Sequence, residues 1–111
     1  MIYNKRMKSL NIFKNIPDKL PQELFEDIIL KEGLKVQRII SKGHNTPQNK
    51  WYNQENDEWV LVLQGEAILS FKDSDDIKLK VGDYLNILAH TQHRVSWTTP
   101  NEETIWLAIH Y

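Results

Sequence analysis

Residues 58–65 read EWVLVLQG, and this stretch decides the fold class. Side chains alternate between the two faces of a strand, so Val60 and Val62 share one face. The other face carries Trp59, Leu61 and Leu63. Both faces are apolar, and a strand of this kind needs cover on both sides. The stretch therefore predicts a buried strand over residues 59–63 in a domain built from sheets.

Most of the chain after residue 23 has the same strand-like character. Residues 34–41 alternate between a face with Leu34, Val36, Arg38 and Ile40 and a face with Lys35, Gln37 and Ile39. The predicted strands are residues 24–30, 34–41, 59–63, 67–71, 77–79, 84–88, 93–97 and 104–110. Short strands at this spacing, with turn residues between them, predict an all-β sandwich or barrel.

The N-terminal part of the chain differs from the rest. Residues 1–23 predict a short arm in front of a β-barrel domain over residues 24–111. Pro21 could instead open a short helix over residues 22–25, since proline suits the first turn of a helix. A strand beginning near Leu24 is the preferred interpretation, because the turn at residues 31–33 favours a hairpin.

Length and composition exclude several classes of protein. The 111 residues suffice for one domain. The formal net charge of -1 predicts neither nucleic-acid binding nor attraction to acidic membranes. The chain has no cysteine, which excludes disulfides and thiolate chemistry. No apolar run approaches the roughly 20 residues that span a bilayer. Residues 1–10 lack the apolar segment of a signal peptide, so a cytoplasmic location is expected.

Two short motifs frame the middle of the chain. Six residues separate Glu58 from Gly65, and further along Gly82–Asp83 precede a short strand, a turn and His93. This arrangement resembles the two motifs of the cupin family, which are small β-barrels of the jelly-roll class. The resemblance covers about residues 34–110. It implies an all-β double-stranded β-helix, the cupin jelly-roll barrel.

The resemblance also implies a metal site, although this chain departs from the family pattern. In cupins, a pair of histidines just before the glutamate binds metal together with that glutamate and the later histidine. Here Tyr52–Asn53–Gln54 take the place of the pair, so only Glu58 and His93 carry over. Gln54 offers a neutral carbonyl oxygen. Tyr52 coordinates a metal only when deprotonated, which is costly near neutral pH.

Strand alternation brings the two remaining ligands together. Glu58 shares a face with Val60, and His93 shares a face with Val95 and Trp97. If the two valines face the barrel interior, Glu58 and His93 face it as well. The sequence therefore predicts that these two side chains converge inside the barrel.

A divalent metal is accordingly the expected cofactor, held by Glu58, His93 and Gln54. His44 or His110 could add a ligand, and mixed nitrogen and oxygen ligands suit iron, manganese, nickel or zinc. The alternative is a metal-free barrel in which Glu58 and His93 are hydrogen-bonded to each other, because a buried carboxylate needs a partner.

The remaining candidate residues belong to the pocket or to acid–base chemistry. The predicted pocket residues are Trp51, Trp97 and His110, whereas Trp106 is better explained as core filling. The candidate general acids or bases are Tyr52, His44 and His90.

The expected function is binding of a divalent metal, a small polar organic ligand, or both, inside the barrel. The family resemblance implies a metal-dependent dioxygenase, isomerase or decarboxylase as one alternative, and a metal-free ligand-binding or structural protein is another. The apolar outer face of residues 59–63 predicts a homodimer, unless the N-terminal arm alone covers that face.

Overall fold

The computed structural model describes residues 7–111, so the first six residues of the predicted arm lie outside the described residues. The elements are eight strands: β1 Leu24–Lys31, β2 Leu34–Ser41, β3 Glu58–Gln64, β4 Ala67–Phe71, β5 Ser74–Leu79, β6 Tyr84–Ile87, β7 His93–Thr98 and β8 Thr104–His110. The predicted all-β class is confirmed, and the alternative helix over residues 22–25 does not form because β1 already begins at Leu24.

One predicted turn is shorter than expected. Residues 72–76 were expected to form a turn before a strand at 77–79, but β5 begins at Ser74. Phe71 pairs directly with Ser74, which leaves Lys72 and Asp73 as a two-residue hairpin loop. Tight pairing across this loop extends the strand through residues whose side chains are exposed.

Two antiparallel sheets enclose the interior. The five-stranded sheet has the order β1-β2-β8-β3-β6, and the three-stranded sheet has the order β5-β4-β7. The core lies between them and is formed by Ile39, Val60, Val62, Ala67, Leu69, Leu79, Ile87, Trp106 and Ala108. Within the described residues, no helix is long and apolar enough to cross a membrane.

The two faces of β3 are placed as the alternation predicts. Val60 and Val62 are buried in the core, with 3% and 0% of their surface exposed. Trp59 is half-buried on the outer face, where its ring lies 5.5 Å from that of Tyr84. The inner face of β3 therefore presents Glu58 to the barrel interior at the start of the strand.

A bulge in β7 changes which residues face inward. Leu69 pairs with Val95, but the adjacent Ile68 pairs with Trp97, so the register shifts by one residue. The expected shared face of His93 and Trp97 is therefore wrong, because an extra residue reverses the alternation. Trp97 lies on the outer side, with the Lys78 ammonium 5.8 Å from its ring centre.

The N-terminal arm is anchored by one buried arginine of β2. The Arg38 guanidinium donates hydrogen bonds to the carbonyl oxygens of Ile12, Lys14 and Asn15 at 3.0, 2.6 and 3.3 Å. It also forms an ion pair of 2.6 Å with Glu26 of β1. Only 8% of Arg38 is exposed, so its main role is to hold the arm against the β1–β2 part of the large sheet.

Candidate functional site

A cavity of about 190 Å³ opens into the barrel between the two sheets. Its apolar wall comes from core residues of both sheets. Its polar wall is formed by Glu23, Lys35, Gln37, Tyr52, Gln54, Glu58, His93 and His110. We call this space the barrel cavity, and its polar groups define the candidate site.

Glu58 is the centre of the polar wall. Its carboxylate Oε1 lies 3.4 Å from His93 Nε2, and its Oε2 lies 3.7 Å from His110 Nε2. Glu58 and His93 are buried, with 8% and 5% of their surface exposed. Glu58 begins β3 and His93 begins β7, so the structure brings together the pair that strand alternation predicted. His110 joins them because it pairs with Glu58 in the register of β3 and β8.

His93 has an acceptor at each of its ring nitrogens. Its Nδ1 donates to the carbonyl oxygen of Thr91 at 2.7 Å, and its Nε2 faces Glu58. Burial lowers the pKa of His93. The hydrogen bonds to Glu58 and Thr91, together with the Glu58 charge, outweigh burial and raise the pKa above its usual value. A proton on both nitrogens satisfies both acceptors, so the site favours the imidazolium form of His93.

His110 has the opposite protonation preference. Burial lowers its pKa, and the charges of Lys35 and His93 lower it further, whereas the Glu58 charge acts in the other direction. Its net pKa therefore lies below the usual value for histidine. The site thus combines one carboxylate, one imidazole that favours its charged form and one that favours its neutral form, which is a set suited to moving a proton.

The loop before β3 contributes two further lining residues. Tyr52 exchanges backbone hydrogen bonds of 2.7 and 3.2 Å with His93, and their rings lie 5.8 Å apart. The backbone carbonyl of Gln54 accepts a hydrogen bond from the His90 amide at 2.8 Å. The side-chain Oε1 of Gln54 is buried and has no hydrogen-bond partner among the described residues. Both residues that replace the family's histidine pair therefore border the cavity.

Among the described residues, four of the predicted site residues do not line the cavity: His44, His90, Trp51 and Trp97. His44 donates from Nε2 to the Leu20 carbonyl at 3.0 Å and accepts from the Lys42 amide at 2.8 Å, so both nitrogens are used locally. His90 is exposed in a turn with a φ of 64°. Trp51 packs under the Arg94 guanidinium at 5.7 Å.

The cavity lining also contains residues that were not selected from the sequence. They include the polar residues Glu23, Lys35 and Gln37, and Trp106, which was interpreted as core filling. Trp106 is 3% exposed, and its Nε1 has no hydrogen-bond partner within residues 7–111. Alternation had placed Lys35 and Gln37 on one face of β2. The more apolar face of β2 is the outer one, and the face with Lys35 and Gln37 borders the cavity.

The donor set meets part of what a divalent metal needs. Two ligands of one zinc ion, each about 2.1 Å from it, lie roughly 3.4 Å apart in a tetrahedron. The Glu58–His93 distance of 3.4 Å matches this value, and the Glu58–His110 distance of 3.7 Å is slightly longer. Within residues 7–111, no group of three or more His, Cys, Asp or Glu side chains is arranged to hold a metal ion. One pair therefore fits a metal, and a third ligand requires His110 or Gln54 to move.

Comparison with known proteins agrees with the motifs and the fold. Residues 38–110 match the family described as the cupin domain. The chain belongs to the cupin family. A 2.10 Å crystal structure from Ralstonia eutropha JMP134, described as that of a candidate mannose-6-phosphate isomerase, is 40% identical to this chain. The similarity covers 94% of this cupin and 97% of that chain, with a TM-score of 0.88.

More distant structures share the architecture of this cupin. A cupin superfamily protein from Desulfitobacterium hafniense DCB-2 is 23% identical over 86% of this chain and 82% of its own, with a TM-score of 0.70. An RmlC-like cupin with a double-stranded β-helix fold from Methanocaldococcus jannaschii is 11% identical over 86% of this chain and 84% of its own, with a TM-score of 0.67. These likenesses confirm the predicted double-stranded β-helix. No curated protein gives a significant match.

Proposed function

We propose that this cupin binds a small polar organic molecule in the barrel cavity, against Glu58 and His93. The observation that carries the proposal is the pairing of these two buried side chains at 3.4 Å on the wall of a cavity of about 190 Å³. A carboxylate accepts hydrogen bonds and an imidazolium donates them, so together they recognise a ligand that carries both a donor and an acceptor. The apolar remainder of the wall encloses the ligand's carbon skeleton.

Isomerisation is the reaction class that this pair supports best. The Ralstonia relative is described as a candidate sugar-phosphate isomerase. Moving a carbonyl to a neighbouring carbon requires a base to remove a proton from carbon and an acid to protonate the carbonyl oxygen. Glu58 would take the carbon-bound proton, and the His93 imidazolium would donate to the oxygen. Glu58 then returns its proton to the former carbonyl carbon, and His93 takes the proton of the hydroxyl on the neighbouring carbon. That carbon becomes the new carbonyl, and both side chains are back in their starting forms.

A divalent metal at the same place is the second candidate, supported by the distance between Glu58 and His93. When His93 is neutral with its proton on Nδ1, its Nε2 lone pair faces the Glu58 carboxylate at 3.4 Å. A proton or a metal cation between them removes this repulsion. Glu58 and His93 would hold iron, manganese, nickel or zinc, with His110 or the amide oxygen of Gln54 as a further ligand. A bound metal would supply Lewis acidity.

The variant Glu58→Gln tests this proposal. A panel of sugars, sugar phosphates and short organic acids is titrated into the protein, and binding is followed by NMR. We expect at least one compound to shift the signals of the cavity residues, with affinity falling about 10- to 100-fold in Glu58→Gln because a charge-assisted hydrogen bond is lost. Glu102→Gln, an exposed loop position, is the matched control and should bind as wild type. Equal binding by all three proteins would contradict the proposal.

The same variant has two further readouts. The pKa of His93 should fall in Glu58→Gln, because the carboxylate raises it in the wild type. Because the pKa of His93 is higher in the folded than in the unfolded protein, its protonation stabilises the fold. This contribution is complete at pH values below the unfolded pKa of about 6.5 and is lost as the pH rises through the folded pKa. Glu58→Gln should therefore weaken this pH dependence.

Elemental analysis of the purified proteins decides the metal candidate. Metal that is bound by the wild type and lost in Glu58→Gln supports it, and a wild type that stays metal-free after incubation with all four ions rejects it.

We also propose that two copies of the chain associate through the outer face of the large sheet. Arg38 anchors the arm at the β1–β2 part of that face, and apolar side chains of β3 and β8 lie further along it, half-buried: Trp59, Leu61, Leu107 and Ile109. A second copy would cover this surface. Light scattering at tens of micromolar should give the dimer mass, and Leu61→Lys should shift it toward the monomer. A monomer mass for the wild type contradicts the proposal.

Location in the cytoplasm and the lack of nucleic-acid or membrane partners stay predictions from the sequence.

A further inference from the structure

Three polar side chains form a row across the large sheet. Lys35 of β2 pairs with His110 of β8, and His110 pairs with Glu58 of β3. Neighbouring strands lie about 4.8 Å apart, so the backbone of Lys35 is roughly 10 Å from that of Glu58, with His110 between them. All three side chains line the barrel cavity. The row therefore runs from a positive charge at one end to a carboxylate at the other.

Lys35 has no ion-pair partner in this row, because Glu58 lies two strands away. It is half-buried on the inner face of β2, and within residues 7–111 its ammonium forms no ion pair. Two other carboxylates have hydrogen-bond donors other than Lys35. Glu23 accepts a hydrogen bond of 2.6 Å from Ser41, and Asp27 accepts one of 3.0 Å from Gln37. An ammonium without an ion-pair partner at the cavity wall can bind the anionic group of a ligand.

The surface outside the cavity is also basic at this point. A depression beside the β1–β2 turn is lined by Lys31, Gly33, Leu34, Lys35, Gln54, Asn56 and His110. Lys35, Gln54 and His110 line both this depression and the barrel cavity. Lys35 thus stands where the two spaces meet, with Lys31 on the solvent side and no carboxylate among the residues that line the depression.

We propose that Lys35 binds the anionic group, a phosphate or a carboxylate, of the small molecule whose uncharged polar end reaches Glu58 and His93. The inference rests on the proposed function and narrows its ligand class to small organic anions. The spacing of the row sets the ligand's length, because the anionic group and the polar end must be separated by several bonds to reach both ends of the row. Lys31 adds positive charge at the entrance and attracts such a ligand from solution.

Inorganic phosphate and acetate are the probes that test the anion site directly. Each is titrated into the full chain at constant ionic strength, with sodium chloride as the reference, and NMR signals of Lys35, His110 and their neighbours are followed. We expect binding at millimolar concentration, about tenfold weaker in Lys35→Gln and largely restored in Lys35→Arg, because the charge carries the interaction. Lys72→Gln makes the same charge change in the exposed β4–β5 turn and should bind as wild type.

The outcomes separate this inference from the proposed function. Tighter binding of phosphate points to a phosphate ester and tighter binding of acetate to a carboxylic acid, and both support the anion site. Failure of both anions to shift the Lys35 signals, or equal affinity in Lys35→Gln with an unchanged melting temperature, overturns it. If the anion site fails in this way but compounds of the panel still bind with an affinity that depends on Glu58, the proposal that the cavity binds a small molecule stands. Suppose instead that anions bind at Lys35 but the affinity of no organic compound changes in Glu58→Gln. That result would refute the proposed function.

Discussion

Gly65→Ala is expected to lower the free energy of unfolding by about 4 kcal/mol, measured by urea denaturation. Gly65 connects β3 to β4 with a φ of 84°, which side chains with a Cβ rarely adopt. An added Cβ would also lie 2.7 Å from the Cα of Thr104. Thr104 is fully buried at the start of β8, so its backbone has no room to retreat. Strain and steric overlap therefore act together at this position.

Gly33→Ala separates these two contributions. Gly33 lies in the β1–β2 turn with a φ of 75°, but none of the described residues places a heavy atom within 4 Å of an added Cβ. We expect a loss of about 1 kcal/mol there, from backbone strain alone. If both alanine variants lose the same stability, the close approach of Gly65 to Thr104 is not the cause and the explanation above is wrong.

Arg38→Met is expected to lower the free energy of unfolding by about 3 kcal/mol and to release the arm. The substitution keeps an unbranched apolar stem but removes the donors that hold the carbonyls of Ile12, Lys14 and Asn15. It also leaves Glu26 without its ion-pair partner. Urea denaturation measures the stability, and hydrogen exchange of residues 12–15 measures the release of the arm.

Arg94→Met is the matched control for this effect. Arg94 donates one hydrogen bond of 3.2 Å to the Thr46 carbonyl and lies over the Trp51 ring. Fewer bonds are lost, so we expect a decrease of about 1 kcal/mol and no change in the arm. Unchanged hydrogen exchange at residues 12–15 in Arg38→Met would show that the arm is held by other contacts.

The polar wall of this cupin is built differently from the pattern of its family. Two family histidine positions hold Tyr52 and Gln54, and the structure places both at the cavity. The imidazole of His110 comes instead from β8, where it pairs in register with Glu58. This position gives the carboxylate two imidazole neighbours, at 3.4 and 3.7 Å, without the histidine pair. The surroundings of Glu58 therefore include an imidazole from outside both family motifs.

The amino-acid sequence by itself determined the strands and the meeting of Glu58 with His93. Local alternation, turn residues and motif spacing are properties of short segments, and they gave the strands to within a few residues. Alternation put Glu58 on the same face of β3 as Val60 and Val62, and in the structure that face is the buried one. The departures of Tyr52 and Gln54 were also visible before any coordinates.

Only the tertiary structure decided which residues surround that pair. Alternation divides a strand into two faces but does not say which face is inward, and in β2 the cavity takes the polar face with Lys35 and Gln37. A one-residue bulge in β7 moved Trp97 to the outside. His110 meets Glu58 only through the pairing of β8 with β3, strands far apart in the chain. Register and bulges arise from hydrogen bonds between distant segments, so no local pattern encodes them.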